Sequence, residues 1–562
     1  MRIAHGSNSV PLVEAPLTAA EAVDNNSAVN FQPPTTAAAG GAASPAVVTV
    51  ATASPAAAAP APSVTPHFSC LFKGLLENEE ALLPNVTKAA SILRDLNDLG
   101  VSMLDEKHDV TGNSSIPSIY TYFGQFLDHD VTFTNVKKPD GFTDAQVLRD
   151  DTQLSPWSLD NIQTMIENRR GGVLELDSVY GLMPPDTPGG ERKPPPRSGD
   201  LMTLSLVTKT GGRPPGKTDD EHDLPRMPKS LDERLDRAAL IADPRNDSNL
   251  IVAQLHVAFL RAHNELVRRG NSFEQARLTL RNCYHWIVVN DFLMQLADPA
   301  VVEQVRAGTE TIYNPSPDER PCLPLEYTVG AYRFGHSMIR ETYYVNDLAP
   351  GLSLSKLFML IILGRGLEPQ PGKGADTLPE NMIIQWEGFL KGPTGKNKAR
   401  QINTRMVRPL FGLFDERDRL VDGERSLAVQ DLKRGYMMGL PTGQAVAREL
   451  KITNPITSDE IEALAREVSD KQLDALTRPD TKLSSRTPLW FYILAEGKIR
   501  GEGNRLGPVG SRLVAEVLIG LIRRIPDSFL HTGWKPGNLG FRKDEFTLTD
   551  LLRLAKVLPK NF

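Results

Sequence analysis

Apolar residues recur at helical spacing along much of the chain, most clearly in its second half. Asp243-Pro244 has the form of an N-cap followed by proline at the first helical position, and the helical pattern then runs to about Arg269. Its apolar positions are Ile251, Leu255, Phe259, Ala262 and Leu266. A second apolar-rich pattern covers 273–297, and 512–524 and 548–556 are further amphipathic candidates. Alternating strand patterns are few and short, so the chain is predicted to be mainly α.

Two further stretches extend this prediction. Thr457-Ser-Asp-Glu460 is a capping box, and Ile456 and Ile461 are placed to form its hydrophobic staple. The apolar run 357–363 is far shorter than the ~20 residues that cross a bilayer, so it predicts a buried helix and no membrane span.

Composition divides the chain into a tail and one domain. Residues 1–66 are rich in Ala, Pro, Thr, Ser and Gly and predict a disordered tail, because such a stretch buries too little apolar surface. A domain is predicted over 67–562, with a Pro- and Gly-rich surface loop at 183–227. The opening residues lack the apolar run of a secretory signal, so the localisation is open between cytoplasmic and non-classical export.

Charge and cysteine content exclude some functions. The net charge of −6 arises from 63 basic and 69 acidic residues, with no basic stripe that would bind nucleic acid. The 3 cysteines are too few and too scattered for a disulfide framework or a structural zinc site.

Three segments carry candidate chemistry. In a helical 123–130 (FGQFLDHD), Gln125, Asp128 and His129 share one face, while Asp130 is rotated away from them by roughly 100°. In 241–264 (IADPRNDSNLIVAQLHVAFLRAHN), Arg245 falls in a first helical turn, where guanidinium and helix N-terminus form a positive pole. In 326–340 (EYTVGAYRFGHSMIR), a lone histidine on an apolar face would more often be structural than a ligand.

These segments resemble the animal-type haem peroxidases of the peroxidase–cyclooxygenase superfamily, in a bacterial-like form, from about residue 70 to the C-terminus. The resemblance implies one helical domain that holds haem b. His129 is then the distal acid–base, Gln125 lies beside a small-anion pocket, and Asp128 can form an ester to the haem. Arg245 is the catalytic arginine, which stabilises the negative charge that builds on the leaving peroxide oxygen.

The RxGH motif of the family implies the proximal side. His336 is then the axial iron ligand and Arg333 a haem propionate partner, and Gly335 lets the backbone approach a flat macrocycle closely. In 426–444 (SLAVQDLKRGYMMGLPTGQ), Asp431 stands where the family has the asparagine that accepts from the proximal histidine. Arg434 is a second propionate candidate.

The resemblance also implies calcium. The VYG ending of 171–181 (GGVLELDSVYG) matches the calcium loop of the family and places Glu175 and Asp177 on side-chain ligand positions, with Asp130 as the ligand from the distal helix. Gly171 replaces the usual threonine. Occupied calcium and an empty or sodium-filled loop remain alternatives.

Two departures bear on the oxidising power. Ser248 replaces the glutamate that forms a second haem ester in mammalian members, and Asn249 replaces the methionine that one of them links to the haem vinyl. Neither link is expected, so the haem should be a weaker oxidant, which disfavours chloride more than bromide, iodide or thiocyanate.

The expected function is reduction of hydrogen peroxide with oxidation of small anions or phenolic donors. One alternative is a fatty-acid dioxygenase of the same superfamily, although such enzymes carry a tyrosine where this chain has Arg333. Another is an interaction protein that keeps the fold without haem. Retention of His129, Arg245 and His336 together favours the enzyme.

Overall fold

The computed structural model describes most of the chain after residue 66. It covers 67–562 apart from 86, 88, 107–111, 137–153, 184–192, 365–370, 391–395, 415–419, 423–425, 541–544 and 560–561, together with 2–3 and 10–11. Contacts group 66–562 with 1–14 in one unit, and the other unit, 15–65, lies outside the described residues. The predicted disordered tail, 1–66, is therefore almost wholly outside them, as is part of the predicted loop 183–227.

The described residues are mainly helical, as predicted. The helices are α1 (Ile92–Ser102), α2 (Ile119–Val131), α3 (Leu159–Met165), α4 (Asp177–Tyr180), α5 (Leu250–Arg268), α6 (Phe273–Ile287), α7 (Leu293–Leu296), α8 (Pro299–Ala307), α9 (Met359–Ile362), α10 (Leu427–Met437), α11 (Gly443–Glu449), α12 (Ser458–Val468), α13 (Asp470–Thr477), α14 (Leu489–Gly501), α15 (Pro508–Arg523), α16 (Phe529–Thr532) and α17 (Leu548–Leu554).

Strands are short and pair only two at a time in the described residues. Six pairs are antiparallel: β1 (Arg2–Ile3) with β2 (Val10–Pro11), β4 (Asn113–Pro117) with β12 (Lys398–Arg400), β5 (Thr134–Val136) with β6 (Ile166–Asn168), β7 (Arg197–Ser198) with β8 (Leu201–Met202), β10 (Thr342–Tyr343) with β11 (Leu352–Ser353), and β13 (Leu413–Phe414) with β14 (Leu420–Asp422). The seventh, β3 (Phe68–Ser69) with β9 (Leu323–Pro324), is parallel.

The helix predicted to start at Asp243-Pro244 is interrupted. Asp243 does accept from the Arg245 N–H, but it caps only a 3₁₀ turn, Pro244–Asp247. The chain is then extended at Asn249, whose side-chain oxygen accepts from the N–H groups of Ile251 and Val252 and so begins α5 anew. The positive pole expected at Arg245 therefore belongs to a four-residue turn and not to a long helix.

Other local signals are confirmed or corrected by the structure. The capping box Thr457–Glu460 forms, and its two staple isoleucines are buried. The pattern over 273–297 is helical as far as Leu296 and contains a π turn at Val288–Phe292 between α6 and α7. The run 357–363 forms only the four-residue α9, which follows a 3₁₀ turn.

Helices α2 and α5 pack against each other at the centre of the fold, and α5 also contacts α6 and α17. The Phe126 ring of α2 stacks on Phe259 of α5 with centroids 4.6 Å apart. Phe123 meets Tyr284 and Phe292 edge to face. These contacts fix the rotation of α2 about its axis and hence the direction of its polar face. No helix among the described residues is long and apolar enough to span a membrane.

Candidate active site

A cleft lies between α2 and the proximal segment that carries the RFGH sequence. Its border residues are Tyr120, Thr121, Tyr122, Gly124, Gln125, Asp128, Phe292, Leu296, Thr328, Tyr332, Arg333, Phe334, Gly335, His336, Met338 and Ile339. Two predicted distal residues, Gln125 and Asp128, thus face the predicted axial ligand across one cleft. His129 follows Asp128 directly and is fully buried.

The predicted distal histidine, His129, is held by an asparagine. The Nδ1 atom of His129 lies 2.8 Å from Oδ1 of Asn246, and Nδ2 of the same amide lies 3.0 Å from Nδ1 of His256. Burial lowers the pKa of His256 to about 3, so this ring is neutral and can accept at Nδ1. The amide then donates to His256 and accepts from His129. This direction gives neutral His129 its proton on Nδ1 and its lone pair on Nε2.

Arg245 is fixed to the end of α2. Its Nη2 donates to the carbonyl oxygens of His129, at 3.0 Å, and Thr132, at 2.6 Å, and its guanidinium lies over the Phe133 ring. It also pairs with the Asp243 carboxylate at 2.7 Å. Arg245 is not among the described residues that border the cleft. Its contacts therefore hold the backbone of His129 and Thr132 at the C-terminal end of α2.

Asp243 is shared by two arginines. Arg170 approaches the same carboxylate at 2.8 Å and donates to the Ala242 carbonyl. Burial by itself would raise the pKa of Asp243, but the two guanidinium groups outweigh it and hold the pKa well below its usual range. This buried carboxylate joins the distal helix to the loop that precedes α4.

The proximal segment is a π turn, Glu326–Gly330, followed by a 3₁₀ helix, Ala331–Met338. Side chains three residues apart eclipse each other in a 3₁₀ helix, so Arg333 and His336 point the same way. Both meet the carboxylate of Asp431 on α10: Nδ1 of His336 lies 2.5 Å from Oδ2, and Nη1 of Arg333 bonds to Oδ1.

The surroundings of Asp431 keep it ionised. Burial would raise the pKa of Asp431, but His336 and Arg333 together hold it below its usual range. Arg434 is buried one helical turn further along α10. Trp490 on α14 donates from Nε1 to the Arg333 carbonyl at 3.1 Å and stands edge-on to the His336 ring. The proximal histidine is thereby fixed from two helices.

The two departures from the family pattern have structural roles here. Asn249 caps α5, and its Nδ2 contacts Oε1 of Gln125 at 3.4 Å and the Ser248 hydroxyl at 3.3 Å. Asp128 accepts a 2.8 Å hydrogen bond from the Thr132 hydroxyl. Asn249 therefore connects Ser248 to Gln125, which borders the cleft.

The predicted calcium ligands are only partly together. Asp130 accepts from the N–H groups of Leu176 and Ser178, at 3.0 and 2.9 Å. Burial raises the pKa of both Asp130 and Asp177, and the Asp177 carboxylate raises that of Asp130 further. Glu175 is half-exposed and lies 3.7 Å from Arg281. No group of three or more His, Cys, Asp or Glu in the described part of the chain is arranged around a metal position.

The comparisons with known proteins agree with this arrangement. The family model of the animal haem peroxidases matches residues 198–523, which is more than half of the chain. The chain belongs to the animal haem peroxidase family. The matched region contains Arg245, His336 and Asp431, whereas α2 and the calcium loop precede it.

The known proteins that resemble this chain have low sequence identity to it. A peroxidase-like protein of Margaritifera margaritifera is 23% identical over 275 residues, which cover 41% of this chain and 32%, or about a third, of that protein. Peroxidase A from Dictyostelium discoideum shares the fold with a TM-score of 0.55 at 15% identity, covering 88% of this chain and 94% of that one. Oryza sativa fatty acid alpha-dioxygenase has a TM-score of 0.44 at 13% identity, covering 82% of this chain and 76% of that one.

The cleft suits the haem expected of an animal haem peroxidase. Its border is largely aromatic and apolar, with a histidine on one wall and polar side chains on the other. A Cβ added to Gly335, next to His336, would meet no atom within 4 Å, so the wall is open there. An imidazole whose Nδ1 bonds to a carboxylate can ligate a haem iron through Nε2.

Several residues that position this site were not predicted from the sequence. Asn246, one residue after Arg245, had no recognisable signal, and His256 looked like one polar position on the face of an apolar helix. Asp243 was assigned only as a helix cap, although it also pairs with two arginines. The charge of that residue inside an apolar segment was the available signal, because a buried charge requires partners.

Substitution of Asp243 by asparagine should destabilise the protein strongly. The change leaves Arg170 and Arg245 buried without their shared counter-ion, which costs about 3–5 kcal/mol in comparable buried pairs. Urea unfolding at neutral pH measures the loss. Since the folded-state pKa of Asp243 is depressed, the advantage of the wild type should shrink as the pH falls below the ordinary pKa of an aspartate.

The control for that measurement is Glu274→Gln on α6. Glu274 pairs with Arg277 at the surface, where 69% of its side chain is exposed. An exposed pair contributes at most about 1 kcal/mol. Equal losses in the two variants would contradict the role given to Asp243.

Proposed function

We propose that this protein is a haem-dependent peroxidase that reduces hydrogen peroxide and oxidises bromide, iodide, thiocyanate or phenolic donors. The observation that carries the proposal is the buried hydrogen bond between His336 and Asp431 at a cleft bordered on its other side by Gln125 and Asp128. Bound haem b would supply the iron at which peroxide is reduced and through which electrons are drawn from a donor.

On the proximal side, His336 would hold the haem iron through Nε2. The ionised Asp431 accepts the Nδ1 proton and gives the imidazole partial imidazolate character, which strengthens it as a donor to iron. Arg333 moderates this effect because it shares the same carboxylate. Arg333 and Arg434 are the proposed partners of the haem propionates.

On the distal side, His129 would move the proton. With Nδ1 donating to Asn246, the Nε2 lone pair can take a proton from hydrogen peroxide and return it to the oxygen that departs as water. His256 and Asn246 do not take part in this proton transfer. They hold the tautomer that the step requires.

Arg245 keeps its proposed role in stabilising the departing oxygen, although its contacts support a positioning role more directly. Its charge is partly compensated by Asp243, which also pairs with Arg170, and its donors bind the carbonyl oxygens of His129 and Thr132. Those bonds hold the end of α2, so Arg245 would act on the peroxide mainly through the placement of His129.

The polar side chains around Gln125 would determine which donor binds. Its amide, together with Asn249, offers polar groups that can bind a small anion. Asp128 borders the cleft and is the proposed partner of a single haem ester. Complete release of haem into acid acetone would rule that ester out.

Calcium is proposed at Asp130 and Asp177. Both carboxyls are buried, and burial together with a neighbouring carboxylate raises the pKa of each, a situation that a hard divalent cation relieves. Glu175, turned toward Arg281, is left out of this proposal as a ligand.

Haem binding and turnover should separate the two histidines. His336→Ala should lose the Soret band of the haem-loaded protein. His129→Gln should keep it but reduce peroxide about 10²–10⁴-fold more slowly, the usual contribution of a positioned acid–base group. The exposed His531 provides the control, since His531→Gln should change neither property. Absence of a Soret band after haem supplementation of the wild type would contradict the proposed function.

Calcium at one hundred times its Kd should stabilise chelator-treated protein by about 2.7 kcal/mol and so raise its melting temperature. Asp177→Asn should abolish this response, because one of the two carboxylates is lost. Glu175→Gln should retain it. A wild type that does not respond, or a Glu175→Gln variant that loses the response, would refute the site as proposed.

A further inference from the structure

A tyrosine at the edge of the cleft is bonded to a buried carboxylate. Tyr120 of α2 borders the cleft, and its hydroxyl donates to Oδ1 of Asp291 at 2.6 Å. Both residues are buried, with 9% and 5% of their surfaces exposed. The mechanism described above uses neither residue, and each belongs to an element that also supplies cleft residues.

Asp291 is placed as a proton acceptor. It sits in the π turn Val288–Phe292, and its other oxygen, Oδ2, accepts from the Leu548 N–H at the start of α17. Burial raises the pKa of Asp291 to about 6, while the Tyr120 hydroxyl acts in the opposite direction. No arginine, lysine or histidine forms an ion pair with Asp291 in the described part of the chain. The carboxylate is thus more basic than an exposed aspartate.

This geometry meets the main requirement for oxidising a buried tyrosine. A phenol that loses an electron becomes strongly acidic, and in an apolar wall its proton must pass to a group already in hydrogen-bond contact. A carboxylate can take that proton, whereas a backbone carbonyl cannot. Tyr332 provides the contrast, since it borders the same cleft but donates to the Gly124 carbonyl.

We propose that Tyr120 and Asp291 form a redox-active pair that supplies single electrons to the cleft, an inference that rests on the proposed peroxidase function. Haem that has reacted with peroxide would supply the one-electron oxidant, and the Tyr120 phenol would lose one electron to it. The phenolic O–H bond breaks, its proton passes to Oδ1 of Asp291, and a neutral phenoxyl radical remains.

The pair is restored by a one-electron donor. A phenol or similar reductant returns one electron to the Tyr120 radical, and Asp291 returns the proton to the phenolic oxygen. The pair therefore allows a donor to be oxidised at the cleft wall without direct contact with the haem. This route favours phenolic donors over small anions that are oxidised by two electrons.

Electron paramagnetic resonance of haem-loaded protein, frozen soon after addition of hydrogen peroxide, tests the pair. The wild type should give a tyrosine-centred radical whose hyperfine pattern changes when the protein is made with ring-deuterated tyrosine. Tyr120→Phe should abolish this signal. Asp291→Asn should greatly reduce it, because asparagine accepts the hydrogen bond but not the proton. The matched control, Tyr332→Phe, should keep it.

The outcomes separate this inference from the proposed function. A wild type that binds haem and consumes peroxide without a tyrosine signal would contradict the inference alone, as would a signal that survives in Tyr120→Phe or is unchanged in Asp291→Asn. A protein that binds no haem would contradict both. Soret spectra of all variants show that any loss of signal does not arise from loss of haem.

Discussion

The fully buried carboxylate of Asp431 accepts hydrogen bonds from two side chains, Arg333 and His336. An isolated carboxylate there would be strongly unfavourable, so Arg333 and His336 must both be present and correctly placed. This requirement joins α10 to the proximal 3₁₀ helix and fixes one wall of the cleft. It also fixes which nitrogen of His336 faces the haem site, and the chemistry of the proposed enzyme depends on that choice.

The two histidines are each oriented by a hydrogen bond at Nδ1, but the acceptors differ. His336 donates from Nδ1 to a charged carboxylate, whereas His129 donates from Nδ1 to the neutral amide of Asn246. A carboxylate makes an imidazole electron-rich and suits an iron ligand. An amide fixes the tautomer without adding charge, which suits a group that must gain and lose a proton. The ionic contacts on the distal side are made instead around Asp243, away from the cleft.

Much of the fold followed from the sequence because its long helices bury one face. The period over 251–266 and the capping box Thr457–Glu460 are strong local signals, and both are confirmed. The break before α5 was not predicted, because an N-cap at Asp243 and another at Asn249 compete over six residues. Only the packing of the 3₁₀ turn decides between them. The 3₁₀ form of the proximal segment likewise depends on tertiary contacts with α14 and α15.

The candidate site was predictable where a motif carries the chemistry and less so where geometry does. FGQFLDHD and RFGH located the two histidines, and the identification of Asp431 as the partner of His336 is supported by the observed contact. Asn246 and His256 act through a chain of hydrogen bonds between residues far from His129 in sequence, which no local pattern encodes. The sequence does not show that Glu175 lies 3.7 Å from Arg281, which belongs to α6.

The most direct test of the central claim, that Asp431 orients and polarises His336 as the proposed iron ligand, is resonance Raman spectroscopy of the ferrous haem-loaded protein. The iron–histidine stretching band reports the strength of the hydrogen bond at Nδ1 of His336. The band should lie at a higher frequency in the wild type than in Asp431→Asn, because a carboxylate accepts more strongly than an amide. An identical frequency in the two proteins would contradict the account.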